Sequence, residues 1–310
     1  MSLPAASPLP FRLARKRQEP SLLVTLDKNP LAGEDYVTNG CFGASSLLSL
    51  GRDEAHVWYV YPDSLTDPAL LTAYDALLCP QERAQQQRFY FEKGRREYLM
   101  TRALARVTLS RYVRIDPRSW RFQPNSYGRP EIVFPRNIPP LRFNLSHTDG
   151  LIVCLVVLDR EGGIDVENTE REGMTVEIAD QFFSPLEART LRTLPLHARR
   201  RRFFDYWTLK ESYIKARGMG VSLPLEQFSF HLEAGRPVRI SFDPRLEDEP
   251  MSWQFAQFRP TPSHLMAVAL RRGMDSDMKI YVRETVPLAS LSKPESLMFR
   301  ASELLVPSDS

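Results

Sequence analysis

The stretch Gly163-Ile164-Asp165-Val166-Glu167 alternates apolar and acidic residues with a period of two. This period predicts a β-strand in which Asp165 and Glu167 project from one face, while Ile164 and Val166 project from the other. The apolar pair indicates burial, so the strand is expected to belong to a core layer. Two neighbouring carboxylates repel each other unless a cation or water separates them. The strand therefore either carries a cation site or is an exposed edge strand with an ordinary polar face.

The residues before this strand predict a second one. The run from Leu151 to Leu158 is apolar throughout, which is typical of a buried strand, and it is too short to cross a bilayer. Gly162 and Gly163 separate the two predicted strands, and a hairpin is the simplest connection between them. The segment Phe143-Asn144-Leu145-Ser146-His147-Thr148 is predicted to be a short polar step before the buried run.

A third carboxylate comes from the segment Trp207-Thr208-Leu209-Lys210-Glu211-Ser212-Tyr213-Ile214-Lys215, which is predicted to be helical. Glu211 and Lys215 are four residues apart and therefore share a helix face. They can form a surface ion pair worth about 0.2–0.5 kcal/mol. Alternatively, Glu211 completes a carboxylate triad with Asp165 and Glu167, and Lys215 meets a phosphate. Magnesium binds one or two carboxylates together with substrate phosphates, so the second alternative describes a magnesium site.

Two further segments supply candidate phosphate ligands. Arg129 lies between Gly128 and Pro130 in a predicted turn, which would present its guanidinium rigidly. Ser146 and His147 either form hydrogen bonds within the core or hold a diphosphate. Together with the carboxylates, these side chains predict a site for magnesium and a diphosphate between two lobes.

The order of predicted elements indicates an α+β fold with two similar lobes that meet near residue 160. Each half runs strand, helices, strands, so we expect lobes at residues 55–160 and 161–275, an extension at 1–54 and a tail at 276–310. The predicted strands are 56–61, 151–158, 164–167, 228–232, 238–242 and 264–270, and the predicted helical stretches are 81–112, 176–183, 185–193 and 199–216. In the first long stretch the predicted buried face holds Leu99, Ala103, Leu104 and Val107, and the predicted solvated faces hold Arg95, Arg96, Arg102 and Arg106.

Composition excludes several classes of protein. The 310 residues carry a formal charge of only +3, which argues against a general nucleic-acid binder. No run is long enough for a membrane span, and the three cysteines show neither metal-ligand spacing nor a disulfide framework. We therefore expect a soluble, monomeric, cytoplasmic protein. The basic N-terminal residues lack the apolar core of a secretory signal, and they form either a plain extension or an organellar transit peptide.

These motifs resemble those of Sfp-type 4′-phosphopantetheinyl transferases over residues 55–272. Gly128-Arg129-Pro130, residues 143–147, residues 163–167 and residues 207–215 occur in the order found in that family. Arg88-Phe89-Tyr90 upstream, and Ser222-Leu223-Pro224-Leu225 with Phe228 downstream, extend the resemblance. The resemblance implies a pseudo-dimer of two α+β lobes with the active site in the cleft between them.

The resemblance also implies the reaction and the role of each residue. The enzyme would be a holo-[acyl-carrier-protein] synthase type transferase, which moves the 4′-phosphopantetheine arm of coenzyme A to a serine of an acidic apo acyl or peptidyl carrier protein. Asp165, Glu167 and Glu211 would hold Mg²⁺, for which Mn²⁺ can substitute. Lys215 and His147 would contact the phosphates, and Ser146 and Arg129 would lie along the nucleotide end. Glu211 is the first candidate for the base.

One element departs from the family pattern. Some members have lysines before the Arg-Phe-Tyr element to meet the 3′-phosphate of coenzyme A, whereas this chain has Glu82-Arg83-Ala84-Gln85-Gln86-Gln87. Arg83, Arg95 or Arg96 would have to substitute for them. The alternatives to a transferase are a non-catalytic coenzyme A or carrier-protein binding homologue, a metal-dependent hydrolase of coenzyme A, and a nucleic-acid-binding or structural protein.

Overall fold

Two β-sheets pack face to face between two layers of helices. The computed structural model describes residues 47–172, 178–273, 276–291 and 298–303, so most of the predicted N-terminal extension lies outside the described residues. The first sheet has the order β12-β11-β1-β5-β4 and the second has the order β13-β9-β10-β6. The strands are β1 (Glu54–Val60), β2 (Arg121–Pro124), β3 (Pro130–Phe134), β4 (Leu141–Thr148), β5 (Leu151–Leu158), β6 (Gly162–Asn168), β7 (Phe228–His231), β8 (Arg239–Phe242), β9 (Trp253–Thr261), β10 (His264–Arg271), β11 (Lys279–Val286), β12 (Ser290–Leu291) and β13 (Met298–Ala301).

The two halves of the chain repeat one order of elements. After its first strand, each half has three helices, a two-stranded ribbon and two more strands. The first, fifth and fourth strands of each half then lie side by side, as β1-β5-β4 and as β6-β10-β9. The helices are α1 (Pro68–Asp75), α2 (Pro80–Gln86) and α3 (Glu92–Leu109) in the first half, and α4 (Ala179–Phe182), α5 (Pro185–Thr193) and α6 (Leu196–Arg217) in the second. The predicted α+β class is confirmed.

Three apolar clusters hold these layers together. One lies between α3 and the outer face of the first sheet, and one lies between α6 and the outer face of the second. The third lies between the sheets, where Val153 and Val57 meet Ile164 and Val166. Because β5 is covered by a helix layer on one face and by the second sheet on the other, its sequence is apolar at nearly every position. Within the described residues, no helix has the length and apolar character of a membrane span.

The predicted hairpin between residues 151–158 and 164–167 is wrong. β5 pairs with β1 on one side and β4 on the other, so both of its edges are filled. β6 therefore leaves the first sheet and pairs with β10 in the second. The predicted polar step at 143–148 is also wrong, because these residues form most of β4.

The predicted long helical stretch at 81–112 is two helices, α2 and α3, and not all of its arginines are solvated. Arg102 and Arg106 are buried, because the break between the helices brings Glu82 of α2 against α3. Arg106 donates hydrogen bonds to Glu82 Oε2 at 2.6 Å and to the carbonyl oxygens of Pro117 at 2.9 Å and Trp120 at 2.8 Å. These acceptors bind both terminal nitrogens of a guanidinium that would be costly to bury alone.

The segment predicted to be a tail contributes to both sheets. β11 pairs in parallel with β1, and β13 pairs with β9. The side chains of Ile280 and Val282 pack against the apolar cluster between the sheets. Their alternation with polar residues is a strand signal that the Pro-rich residues further on obscure.

Candidate active site

The site lies where the edge strands β4 and β6 meet beneath α6. An edge strand exposes backbone N–H groups on one side, and these need acceptors. Alternate polar side chains of β4 supply them. Ile164 N–H donates to Asn144 Oδ1 at 2.9 Å, Val166 N–H to Ser146 Oγ at 3.3 Å, and Asn168 N–H to Thr148 Oγ1 at 3.1 Å. This β4–β6 seam fixes the register of one sheet against the other.

Asp165 is fully buried and contacts a residue from each neighbouring element. Lys215 Nζ on α6 lies 2.9 Å from Asp165 Oδ1, and Ser146 Oγ donates to the same oxygen at 3.0 Å. Lys215 Nζ also donates to Ser146 Oγ at 2.8 Å. The three groups form a closed triangle of hydrogen bonds, so Ser146 positions both the carboxylate and the ammonium.

Glu167 is buried on the same face of β6, one residue pair further along the strand. Trp207 Nε1 on α6 donates to Glu167 Oε1 at 3.0 Å. Glu211 lies one helical turn from Trp207 and one turn from Lys215, which places it on the stripe of α6 that faces β6. Its side chain is half-buried. Along α6, Lys215 therefore lies against Asp165, and Trp207 lies against Glu167.

Gly163 permits this close approach of strand and helix. A Cβ atom at Gly163 would lie 2.1 Å from Ser212 O and 2.3 Å from Ala216 N. Both are backbone atoms of α6, so no side-chain rotation could relieve the contact. Gly163 was predicted to be a separator between strands, whereas it lies inside β6 and sets the distance between β6 and α6.

A buried ion pair anchors the other side of α6. Lys210 Nζ lies 2.8 Å from Glu187 Oε2, and both side chains are fully buried. Lys210 also donates to Leu225 O at 2.7 Å and to Phe228 O at 2.6 Å. Burial lowers the pKa of Lys210, and Glu187 opposes this effect. The sequence pattern led to no predicted role for Lys210, although its position next to Glu211 in the helical segment could have indicated one.

Arg129 reaches the same region from the ribbon of the first half. Its Nη1 donates to Ala216 O, next to Lys215, at 3.0 Å, and its Nη2 donates to Glu131 Oε1 at 2.9 Å. Asn125 Nδ2 of the same turn donates to Gly218 O at 3.1 Å. The turn thus ties the β2–β3 ribbon to the C-terminal end of α6.

The other predicted residues are His147 and three arginines. Strand alternation places His147 on the opposite face of β4 from Ser146. Arg83 contacts Asp75, Arg95 Nε donates to Phe89 O at 2.8 Å, and Arg96 donates to backbone oxygens at 62 and 65. These three arginines are held within the first half of the chain, and their role toward coenzyme A stays a prediction.

The charges at β6 fit a divalent cation. Lys215 balances one of the two buried carboxylates, and the indole of Trp207 adds a neutral donor. Asp165 and Glu167 with Lys215 leave one negative charge, to which Glu211 adds another. Among the residues that the structure describes, no three His, Cys, Asp or Glu side chains form a complete metal cluster. Magnesium needs fewer protein ligands when substrate phosphates supply the rest, so Asp165, Glu167 and Glu211 remain its predicted ligands.

Comparisons with known proteins agree with this fold. Residues 162–269 match the model of the 4′-phosphopantetheinyl transferase superfamily, and residues 66–157 match that of 4′-phosphopantetheinyl transferase, N-terminal. The chain is 32% identical to 4′-phosphopantetheinyl transferase HetI of Nostoc sp. over 223 residues, which cover 72% of this chain and 90% of HetI. It is 30% identical to 4′-phosphopantetheinyl transferase Sfp of Bacillus subtilis over 213 residues, which cover 68% of this chain and 90% of Sfp.

These matches span both halves of the chain, and the superfamily match includes β6 and α6, which carry Asp165, Glu167, Glu211 and Lys215. The chain belongs to the Sfp-type 4′-phosphopantetheinyl transferase family.

Proposed function

We propose that this chain transfers the 4′-phosphopantetheine arm of coenzyme A to a serine of apo acyl or peptidyl carrier proteins. The carrier serine oxygen forms a bond to the phosphorus that bears the pantetheine arm. The bond from that phosphorus to the bridging oxygen breaks, and adenosine 3′,5′-bisphosphate leaves. The observation that carries the proposal is the buried pair Asp165 and Glu167 on β6, in contact with Lys215 and Trp207 on the face of α6 that also carries Glu211, in a chain of this family.

Each residue has a proposed task in this reaction. Asp165, Glu167 and Glu211 would hold Mg²⁺, which when bound neutralises charge on the diphosphate. The Lys215 side chain is 21% exposed, so its ammonium can donate to a phosphate oxygen while it keeps its ion pair with Asp165. Ser146 is engaged with Asp165 and Lys215, and we propose that it orients them rather than binding the nucleotide. Glu211 would accept the proton of the carrier serine.

Arg129 is a proposed cation at the nucleotide end, because it is already held at the C-terminal end of α6. His147 would need to approach from the other face of β4, where its imidazole could donate to a phosphate. An acidic carrier-protein surface, a monomeric enzyme and a cytoplasmic location are parts of the same proposal.

One assay tests the proposal. The full chain is incubated with coenzyme A, Mg²⁺ and an apo carrier protein, and the carrier protein is then weighed by mass spectrometry. We expect a gain of one phosphopantetheine that a chelator abolishes. Release of adenosine bisphosphate without any carrier protein would indicate a hydrolase. Coenzyme A binding without modification of several unrelated carrier proteins would indicate a binding module. Either result would refute the proposed transfer.

A further inference from the structure

A second group of charges lies outside the candidate active site, where α6, β9 and β13 meet. Its centre is Asp205 on α6, whose side chain is 2% exposed. Three guanidinium groups surround this carboxylate. Arg300 Nη1 lies 3.3 Å from Oδ2, Arg202 Nε lies 3.7 Å from Oδ2, and Arg259 Nη2 lies 3.9 Å from Oδ1. We call these residues, with Arg201, the arginine cluster.

The arginine cluster has more positive charge than its one carboxylate can balance. Arg201 is exposed beside it, so four arginines face one aspartate. Burial, together with the charges of Arg201 and Arg300, lowers the pKa of Arg259, and Asp205 opposes this effect. Within the described part of the chain three of these positive charges have no acidic partner, which costs free energy unless an anion is present.

The arginines are also loosely held, as a comparison with a second buried aspartate shows. Asp248 accepts hydrogen bonds from Tyr213 at 2.6 Å, from Arg271 at 3.0 Å and from Trp253 at 3.0 Å. By contrast, Asp205 Oδ1 accepts no hydrogen bond within the described residues, and Nε and Nη2 of Arg259 donate none there. The guanidinium groups around Asp205 therefore retain donor capacity that those around Asp248 have used.

One arginine of the cluster comes from a segment beyond the superfamily match. β13 supplies Arg300 and Phe299, whereas the superfamily match ends at residue 269. The guanidinium carbons of Arg259 and Arg300 lie 5.0 Å and 5.3 Å from the centre of the Phe299 ring. Arg300 Nη1 also donates to Gln257 Oε1 at 2.9 Å, which fixes its position. β13 thus adds a charged, aromatic-backed surface to the second sheet.

A cavity of about 460 Å³ opens beside Arg300. Residues 233–237, in the β7–β8 turn, and residues 299–301 of β13 line it. The acidic residue in this lining, Glu233, is matched by Arg236 and Arg239, each at 2.9 Å. The cavity therefore does not offset the positive charge of the arginine cluster.

We propose that the arginine cluster binds the phosphate group of a small phosphate monoester, whose organic part occupies the adjoining cavity. Guanidinium groups form paired hydrogen bonds with phosphate oxygens, and a doubly charged phosphate matches the charge surplus better than one carboxylate does. Asp205 holds the arginines in place from beneath. Nucleic acid would need a longer basic stripe than these four residues provide.

The test is calorimetric titration of the full chain with inorganic phosphate and with O-phosphoserine, against sodium chloride of equal ionic strength. Loss of one charged hydrogen-bond donor weakens binding by about tenfold or more, so we expect R300Q to raise the Kd for phosphate by at least this factor. In R259Q/R300Q we expect the heat signal of this phosphate site to disappear. R245Q is the matched control, because Arg245 pairs with Asp243 on the surface, where its side chain is 70% exposed. Circular dichroism melting checks that each variant is folded.

Equal phosphate binding in wild type and R259Q/R300Q, or an equal loss in R245Q, would overturn the proposal. Exclusion of O-phosphoserine from a site that binds inorganic phosphate would overturn the assignment of the cavity. R300Q is expected to modify carrier protein at the wild-type rate, because Arg300 lies outside the candidate active site. Failure of the wild-type chain to modify carrier protein would instead count against the proposed function and would leave the phosphate site standing.

Discussion

Replacing Gly163 with alanine tests whether β6 and α6 must touch at backbone distance for the site to form. The new Cβ would lie 2.1 Å from Ser212 O, whereas ordinary contacts begin at 3.4 Å. Strand and helix would have to separate by about 1.3 Å, the difference between these distances. Functional groups need to stay within about 0.5 Å of their productive positions. The substitution should therefore displace Lys215 and Glu211 from the carboxylates of β6.

Two magnitudes follow from this displacement. Overpacking costs about 1–3 kcal/mol, and the upper end applies because the opposing atoms belong to helix backbone. For a chain of 310 residues that corresponds to a fall in melting temperature of about 5 °C. A misplacement of about 1 Å can reduce catalysis about a hundredfold. Differential scanning fluorimetry and the carrier-protein mass assay measure the two effects on the same sample.

Gly162→Ala is the matched control at the neighbouring glycine. Its added Cβ would meet side-chain methyl groups of Leu155 at 3.0 Å and of Leu270 and Val157 at 3.4 Å, and these groups can move. We expect a cost below about 1.5 kcal/mol and nearly unchanged activity. A G163A variant that melts and turns over like wild type would refute the reasoning, and so would equal damage from G162A.

Three further perturbations test buried polar and charged groups. Lys210→Met should destabilise the fold by about 3–5 kcal/mol in urea denaturation, because it leaves Glu187 buried and unpaired; K210M/E187Q should recover part of this loss, and a cost below about 1 kcal/mol for K210M would contradict the expectation. Asn144→Leu removes the acceptor of the buried Ile164 N–H and should cost about 1–3 kcal/mol in the same assay, and an unchanged free energy of unfolding would contradict this expectation. Burial, helped by the charge of Arg283 and opposed by Glu54, lowers the pKa of His56 to about 4, so the unfolded chain binds its proton first as the pH falls. The stability that neutral His56 contributes is complete above about pH 6.5, and about 3 kcal/mol of it is lost as the pH falls to 4; H56Q should lack this slope, and an unchanged slope in H56Q would exclude His56 as its source.

Local patterns in the sequence predicted much of the site. The alternation around Ile164 and Val166 predicted a buried strand with both acids on one face, and the structure has β6 in this form. The spacing of Glu211 and Lys215 predicted a shared helix face, and Lys215 contacts Asp165 from that face. The contact of Trp207 with Glu167 was not predicted. These properties depend on periods of two and of 3.6 residues, which a short segment contains in full.

Pairing between distant segments could not be read in the same way. Nothing near Gly162 shows that both edges of β5 are already filled, so a hairpin to β6 looked simplest. Likewise, the burial of Arg106 depends on Glu82 in another helix and on carbonyl groups that follow α3. The role of Ser146 as an acceptor for Val166 N–H required knowledge that β4 meets the edge of β6. Each outcome depends on tertiary partners rather than on the local sequence.

The most direct measurement of the central claim is the transfer rate of Glu211→Gln in the carrier-protein mass assay, with its melting temperature measured alongside. Glu211 faces β6 from the middle of the stripe between Trp207 and Lys215, and the amide keeps the size of the side chain while it removes the charge and the base. We predict a fall in rate of about a hundredfold or more with an unchanged melting temperature. Transfer at the wild-type rate by the folded variant would contradict the proposed active site.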